Sequence, residues 1–293
     1  MRKILLTGFS GFLGGHILDY LEKEEYEVIK VGRNKEADVK CDLSTNQLMK
    51  IDVDIVIHAA GKAHVIPKTN EEKEEFFKVN YLGTKNLLNG LDLKKLKTII
   101  FISTVAVYGK EKGNLIDETA PLLGNTPYAL SKIKAEDVLI NFGIDNNVNV
   151  VILRLPLISG KNPIGNLNGI ITAIKRGYYF RIGKGKAKRS IVSAKDVAKV
   201  IPELLNLKGV YNYTNYKHPM ICEIDTVIAE KYNKKIKELP FFLLKWFAKI
   251  GDLFPFSPFN SVVFGKLVNT LTFSNKKILK KIEFKPVNGL SDI

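Results

Sequence analysis

Short apolar runs alternate with longer amphipathic ones through the first half of the chain. Lys3–Thr7 (KILLT), 27–31 (EVIKV), 54–58 (DIVIH), Thr98–Thr104 (TIIFIST) and 149–154 (NVVILR) carry the near-continuous, β-branched character of strands buried on both faces. Between them the apolar spacing is helical. Leu13, Ile17, Leu18 and Leu21 share one face from about residue 11 to 22, and further helices are expected at about 71–91 and 128–142. Strands separated by helices predict an α/β fold, a doubly wound parallel sheet with right-handed crossovers and helices on both faces. The pattern loosens after Pro156, where short Gly-, Asn- and Lys-rich elements run to Arg189. A helix at about 194–207 and a strand near 210–213 then return to the first lobe. Residues 1–155, with return elements near 190–215, are therefore expected to form one domain, and 156–293 mainly a smaller C-terminal α/β lobe.

Composition narrows the class. The chain has 293 residues, of which 45% are hydrophobic and 26% charged, so it can bury a core without staples and is not a disordered type. Two cysteines, Cys41 and Cys222, form no CxxC or His/Cys ligand spacing. No metal is expected, and a reducing, cytoplasmic setting is. The basic start Met1-Arg2-Lys3 is followed by an apolar run that stops at Thr7-Gly8, too early for a secretory signal, and no window has the length of a membrane span.

The net charge of +15 invites a nucleic-acid reading, yet only six of the 45 basic residues are arginine, the side chain that reads base edges best. No nucleic-acid partner is expected; anionic small molecules or a membrane surface fit better. The one dense basic cluster is 184–189 (KGKAKR). Residues 241–259 are apolar and aromatic, with Lys245 and Lys249 among them. They are expected either to touch an anionic membrane peripherally or to pack on the C-terminal lobe or a homodimer interface.

Three motifs carry chemistry. Gly8, Gly11 and Gly14 form a G-x-x-G-x-x-G loop between the first strand and helix, where glycine lets a backbone approach a pyrophosphate lying at free helix N–H groups. The spacing is one residue longer than G-x-G-x-x-G. The second strand ends Val31-Gly32-Arg33-Asn34, with no acid for a ribose 2′-hydroxyl and with Arg33 available to a 2′-phosphate, so NADP is favoured over NAD. Tyr128 and Lys132 lie one helical turn apart, where an ammonium together with a nicotinamide cation is expected to favour the phenolate. They follow Ser103-Thr104, a hydroxyl pair ending a strand at the sheet edge that binds ligands in such folds.

The set TGFSGFLG, CDL (41–43), HAAG (58–61), VNYLGT (79–84), STVAVYG (103–109), YALSK and LRLP resembles the extended short-chain dehydrogenase/reductase family, and more narrowly its nucleotide-sugar epimerase/dehydratase branch. The resemblance runs from residue 1 to about 215, with a weaker echo at 272–286. It implies a Rossmann-type fold and NAD or NADP as cofactor. Gly8, Ser10, Gly11, Phe12, Leu13 and Gly14 would surround the pyrophosphate, Asp42 and Leu43 the adenine, and Ala59, Ala60 and Gly61 the path to the nicotinamide. Asn80 would support that strand edge, with Arg33, Ser103 and Leu155 also at the cofactor. Thr104, Tyr128 and Lys132 would be catalytic, Tyr128 as base and Lys132 as its electrostatic partner and ribose ligand. Ser103, Thr104, His64, Asn166, Leu167 and Arg189 would meet a nucleotide-sugar, Arg189 through its fork on the diphosphate.

Three positions depart from the branch. Val105-Ala106 replace the acidic pair with which the dehydratases eliminate water; Leu157 stands where epimerases often carry an Asn; and no arginine follows Arg189. The resemblance thus implies an epimerase acting through a transient 4-keto sugar, on a UDP-hexose or UDP-N-acetylhexosamine for surface polysaccharide synthesis. The alternatives are an NADPH-dependent 4-keto-sugar reductase, an epimerase of a lipid-linked sugar, or a non-catalytic dinucleotide-binding scaffold.

Overall fold

The computed structural model describes residues 2–254, 260–286 and 289–293; the part of the aromatic segment at 255–259 lies outside the described residues. Seven parallel strands form the central sheet: β1 (Lys3–Thr7), β2 (Glu27–Gly32), β3 (Val39–Lys40), β4 (Ile55–His58), β5 (Thr98–Thr104), β6 (Asn149–Leu155) and β7 (Gly209–Asn212). Their spatial order is β7-β6-β5-β4-β1-β2-β3, so the winding reverses beside β1. This is the doubly wound α/β fold that the alternation of patterns predicts.

Side-chain parity explains why the strands read as unbroken apolar runs. Ile4 and Leu6 of β1 enter one core and Leu5 the other; Ile55 and Ile57 part from Val56 in β4, and Val151, Leu153 and Leu155 from Val150 and Ile152 in β6. The first core is closed by α1 (Phe12–Lys23) and, from the return segment, α6 (Ala194–Leu204). On the second face lie α3 (Gly83–Asn89) and α4 (Pro127–Asp145), which supply Leu87, Leu88, Ala135 and Leu139. Both faces of the sheet are therefore dry.

The helix expected at about 71–91 is broken in two. α2 (Asn70–Phe76) passes into α3 through a π-turn at Phe77–Leu82, and that turn carries the buried Asn80. Such single π-turns are common at functional sites. α4 starts as its sequence dictates: Thr126 accepts a hydrogen bond from the Ala129 N–H at 3.2 Å, and Pro127 takes the first helical position.

The C-terminal lobe is smaller. α5 (Asn166–Arg176) packs on α7 (Ile221–Lys231) through Leu167, Ile171 and Ile174 against Ile224 and Ile228. Short strand pairs bind it together: Leu157–Ser159 with Ile191–Ser193, and Phe180–Ile182 with Lys237–Leu239. A third pair, Leu271–Phe273 with Gly113–Ile116, ties the late chain back to the first half.

One polar element crosses the second core. Arg154 of β6 lies beside Glu136 of α4, with Arg154 Nη2 donating to Glu136 Oε2 at 2.6 Å and both residues under 5% exposed. Arg154 Nη1 donates to the Tyr108 hydroxyl at 3.0 Å, which in turn donates to Asn212 Oδ1 at 2.7 Å. Ser103 Oγ donates to Glu136 Oε1 at 2.5 Å. Removing one partner of a buried pair leaves the other charge uncompensated, at about 3–5 kcal/mol. Glu136→Ala is expected to lower the urea-unfolding free energy by that amount, and Glu136→Leu with Arg154→Met by much less; equal losses would contradict an energetically coupled pair.

Candidate active site

Backbone meets backbone where the winding reverses. Gly8 has φ +72°, and a Cβ there would lie 2.5 Å from Ala60 N; a Cβ on Gly14 would lie 1.9 Å from Gly8 O. No side chain larger than hydrogen fits either position. Gly11 caps α1 without a side-chain hydrogen bond, and the first turn holds no acid. The positive end of the helix thus faces an open loop with Ser10 and Gly11 exposed, a cradle suited to a pyrophosphate. Leu13 turns into the core, leaving only its backbone for this loop. Phe12 stacks edge-on against His16 at 5.4 Å and closes on Gly160, where a Cβ would be 3.0 Å from its ring.

A buried histidine joins three parts of this cradle. The Ala60 N–H donates to Thr7 Oγ1 at 3.2 Å, and Thr7 Oγ1 lies 2.7 Å from His58 Nδ1. His58 Nε2 lies 3.0 Å from Thr84 Oγ1, which donates to Asn80 O at 2.7 Å. That direction makes Nε2 the protonated nitrogen and Nδ1 the acceptor. Burial, and secondarily the Lys132 charge, push His58 down to about 3, so it stays neutral and structural, as a strand histidine is expected to be. Asn80 then fixes the next stretch: its Oδ1 accepts the Lys62 N–H at 2.7 Å, and its Nδ2 donates to Lys62 O at 3.0 Å and to Ser131 Oγ at 2.9 Å. Ala59, Ala60 and Gly61 are held between these anchors.

Tyr128 and Thr104 come together at the sheet edge. The Thr104 hydroxyl lies near enough to the phenol to favour its ionised form. It also accepts the Ala106 N–H at 3.1 Å, which starts a tight turn at Val105–Tyr108. Phe76 flanks Tyr128, with ring centroids 6.2 Å apart. One turn on, Lys132 is 5% exposed; its Nζ donates to Ile102 O at 2.9 Å and sits 4.3 Å from the Phe101 ring centroid. A Cβ on Gly61 would lie 3.2 Å from Nζ, so the ammonium reaches the 59–61 segment.

In the protein alone, burial pushes the Tyr128 phenol up, opposed by the Thr104 hydroxyl. Burial also pushes Lys132 down to about 8, against the pull of Glu136. Desolvation disfavours both charged forms.

The remaining expected residues divide. Arg33 is exposed beyond β2, with Nη1 3.8 Å from Asp42 Oδ2. The Asp42 carboxyl lies below its usual range, mainly through Ser44 Oγ, which donates to it at 2.6 Å. Leu43 O accepts from Asn86 Nδ2 at 2.7 Å. His64 has φ +60° and lies against Gly165, the residue capping α5, and partial desolvation lowers its pKa. Asn166 opens α5 exposed, while Leu167 is buried beneath it. Gly165 caps α5 with no side-chain bond, and its first turn holds no acid, so His64 and Asn166 flank a second helix start with free N–H groups.

Three residues are not brought to the crevice. Ser103 points to Glu136 because strand parity turns it away from Thr104. Leu155 is 2% exposed and belongs to the core. Arg189, expected on a diphosphate, donates from Nη2 to Lys266 O at 2.6 Å and from Nη1 to Lys188 O at 3.0 Å and to Asn269 O. It caps the carbonyl end of α9 (Ser261–Val268). The sequence reading missed Glu136 and Asn212; the one local signal was an acid four residues beyond Lys132 on the same helix face as Ala135 and Leu139.

A doubly wound sheet with glycines packed at its switch point is the dinucleotide-binding class of α/β fold. The chain matches the NAD dependent epimerase/dehydratase family over residues 4–213 and belongs to it. Among its relatives is the N-acetyl-α-D-glucosaminyl-diphospho-ditrans,octacis-undecaprenol 4-epimerase of Escherichia coli O157:H7, 27% identical over 254 residues, 81% of this chain and 73% of that one. Another is the GDP-6-deoxy-D-mannose reductase of Pseudomonas aeruginosa, 27% identical over 78% of this chain and 80% of that one. The solved UDP-glucose 4-epimerase of Thermotoga maritima with UDP-glucose shares the fold, with a TM-score of 0.73 and 20% identity over 99% of this chain and 96% of that one. The chain is thus an NAD(P)-dependent enzyme of the sugar epimerase and reductase type.

The desolvated lysine makes a pH prediction. Below about 8 the folded protein must hold Lys132 charged inside, a penalty that fades as pH rises from 8 toward the usual 10.5, where the folded lysine is neutral and the unfolded one still binds a proton. The stability gap between Lys132→Met and the natural protein, taken from urea midpoints, is expected to narrow in favour of the natural chain across that interval. Parallel curves would show that Lys132 does not titrate there.

Proposed function

We propose that this enzyme inverts a hydroxyl-bearing carbon, C4, of a diphosphate-linked hexose through a transient keto sugar. The observation that carries this is the Tyr128–Thr104 pair at the sheet edge, with apolar Val105 and Ala106 next to it where elimination of water requires acids. Thr104 orients the sugar hydroxyl and shares its hydrogen bond, and Tyr128 takes the proton from that oxygen and later returns it. Lys132, desolvated beneath the 59–61 segment, supplies positive charge to the ionised phenol and donors to a ribose. The glycine loop and the free N-terminus of α1 fit the dinucleotide's pyrophosphate; when bound, its nicotinamide supplies the two-electron acceptor and donor that the sugar carbon requires. On the other side of the crevice, His64, Asn166 and the start of α5 support the sugar diphosphate.

UDP- and GDP-hexoses and a polyprenyl-diphosphate-linked N-acetylhexosamine, each incubated with the enzyme and resolved by epimer, test the reading. Interconversion without net consumption of cofactor is the expected result. Tyr128→Phe is expected to lower kcat by about 10²–10⁴-fold with the fold intact.

One observation favours a second reading, a reductase that consumes NADPH. Arg33 is 76% exposed in its side chain, at the end of β2, with no acid in the strand's last turn to meet a ribose hydroxyl. NADP is accordingly proposed over NAD. Arg33→Ala is expected to weaken NADPH binding about tenfold or more and to leave NADH unchanged, since a charge-assisted bond contributes about 1.5–3 kcal/mol. Stoichiometric loss of NADPH on a keto sugar, with no interconversion of hydroxyl epimers, would replace the epimerase by the reductase.

A further inference from the structure

The C-terminal lobe carries a helix that its own fold leaves uncovered. α8 (Phe241–Gly251) buries only Ala248 and Gly251, and its first residue packs on α9, the Phe241 and Phe264 rings lying tilted with centroids 5.2 Å apart. Phe242, Leu243, Trp246, Phe247, Leu253 and Phe254 are each 53–76% exposed. Phe242–Trp246 and Leu243–Phe247 are i, i+4 pairs in two adjacent rows and make one apolar face of the helix, with Leu253 and Phe254 exposed in the turn that follows it. Scattered apolar residues on a surface mean little; a contiguous aromatic patch marks a contact with something apolar.

The charge around this face identifies that partner. α8 has no acid, and it carries Lys245 and Lys249, both exposed. The basic cluster adjoins it, for a Cβ on Gly183 would lie 3.3 Å from Phe241 Cβ. Lys184 pairs with Glu238 and Lys266 with Glu111, but Lys186, Lys188, Lys245 and Lys249 make no ion pair among the described residues. A second copy of so basic a face would repel the first. An anionic surface with an apolar interior complements it, taking lysines at the headgroups and rings at the acyl boundary. Among the described residues no helix is long and apolar enough to cross a membrane, so α8 would lie flat.

We infer that the exposed face of α8 docks the protein on an anionic lipid bilayer, with Trp246 at the headgroup boundary and Lys245, Lys249, Lys186 and Lys188 on the phosphates. The inference stands apart from the catalytic reading, because its test reads bound protein and not turnover.

The chain contains a single tryptophan, Trp246, so its emission reports this face alone. The full-length protein is titrated with vesicles of phosphatidylcholine and phosphatidylglycerol, and with phosphatidylcholine alone. The expected result is a blue shift with the anionic vesicles, quenching by brominated acyl chains, and reversal by salt. Lys245→Gln with Lys249→Gln is expected to raise the half-saturating lipid concentration about 30-fold, at roughly fivefold per lysine. Phe242→Ser with Phe247→Ser should abolish acyl-chain quenching, circular dichroism confirming that both variants are folded. An unchanged emission at millimolar anionic lipid overturns the proposal, as does equal binding to the neutral vesicles. A blue shift that follows protein concentration without lipid overturns it in favour of a second copy on this face.

Discussion

One buried ion pair sets the register of the residues proposed to react. Tyr128, Lys132 and Glu136 are spaced one turn apart along α4, and Glu136 is clamped to Arg154 of β6 while accepting from Ser103 of β5. The helix is thereby pinned to two neighbouring strands at one height. Thr104, the residue after Ser103, then faces Tyr128 two turns up the helix. A slide of α4 by one turn would cost the Ser103–Glu136–Arg154 set its partners in a dry core, so the distance between phenol and threonine is fixed by a charge that never touches substrate. Tyr108 and Asn212 extend this network to β7, the last strand of the sheet, so residues more than a hundred positions apart hold one helix.

The same dryness that fixes the geometry shapes the proton chemistry. Burial resists ionisation of Tyr128 and resists protonation of Lys132, and Glu136 and Thr104 each oppose it in part. Below about pH 8 the phenol is therefore neutral beside a lysine that still holds its proton, at a desolvation cost to that charge. His58 contributes no such flexibility. With its pKa near 3 and both ring nitrogens engaged, it acts as a fixed spacer between the glycine loop and the π-turn.

The central fold was legible because burial on both faces writes itself into sequence as continuous apolar strands. The glycine loop and the Tyr128–Lys132 spacing were legible because each depends on neighbours within a turn or two. What was not legible depended on distant partners. A periodic stretch at 71–91 cannot reveal the one extra residue per turn at Phe77–Leu82 that presents Asn80. Ser103 and Thr104 look interchangeable until parity assigns one to Glu136 and the other to Tyr128. Arg189 sits in a basic cluster that suggests phosphate, yet its partners are carbonyls some 77 to 80 residues later in the chain.

That misreading of Arg189 has a physical consequence. Its guanidinium links the strand region of the C-terminal lobe to the carbonyl end of α9, and α9 meets the aromatic helix α8 through Phe241 and Phe264. Burial lowers the pKa of Arg189, yet an arginine keeps its charge in this setting, so the cap persists across the pH range in which the enzyme folds. The lobe proposed to hold a sugar diphosphate is thus joined to the helix proposed to lie on lipid both through Arg189 and α9 and through Gly183 against Phe241. Such a connection is as suited to a diphosphate anchored in lipid as to one carried by a nucleoside.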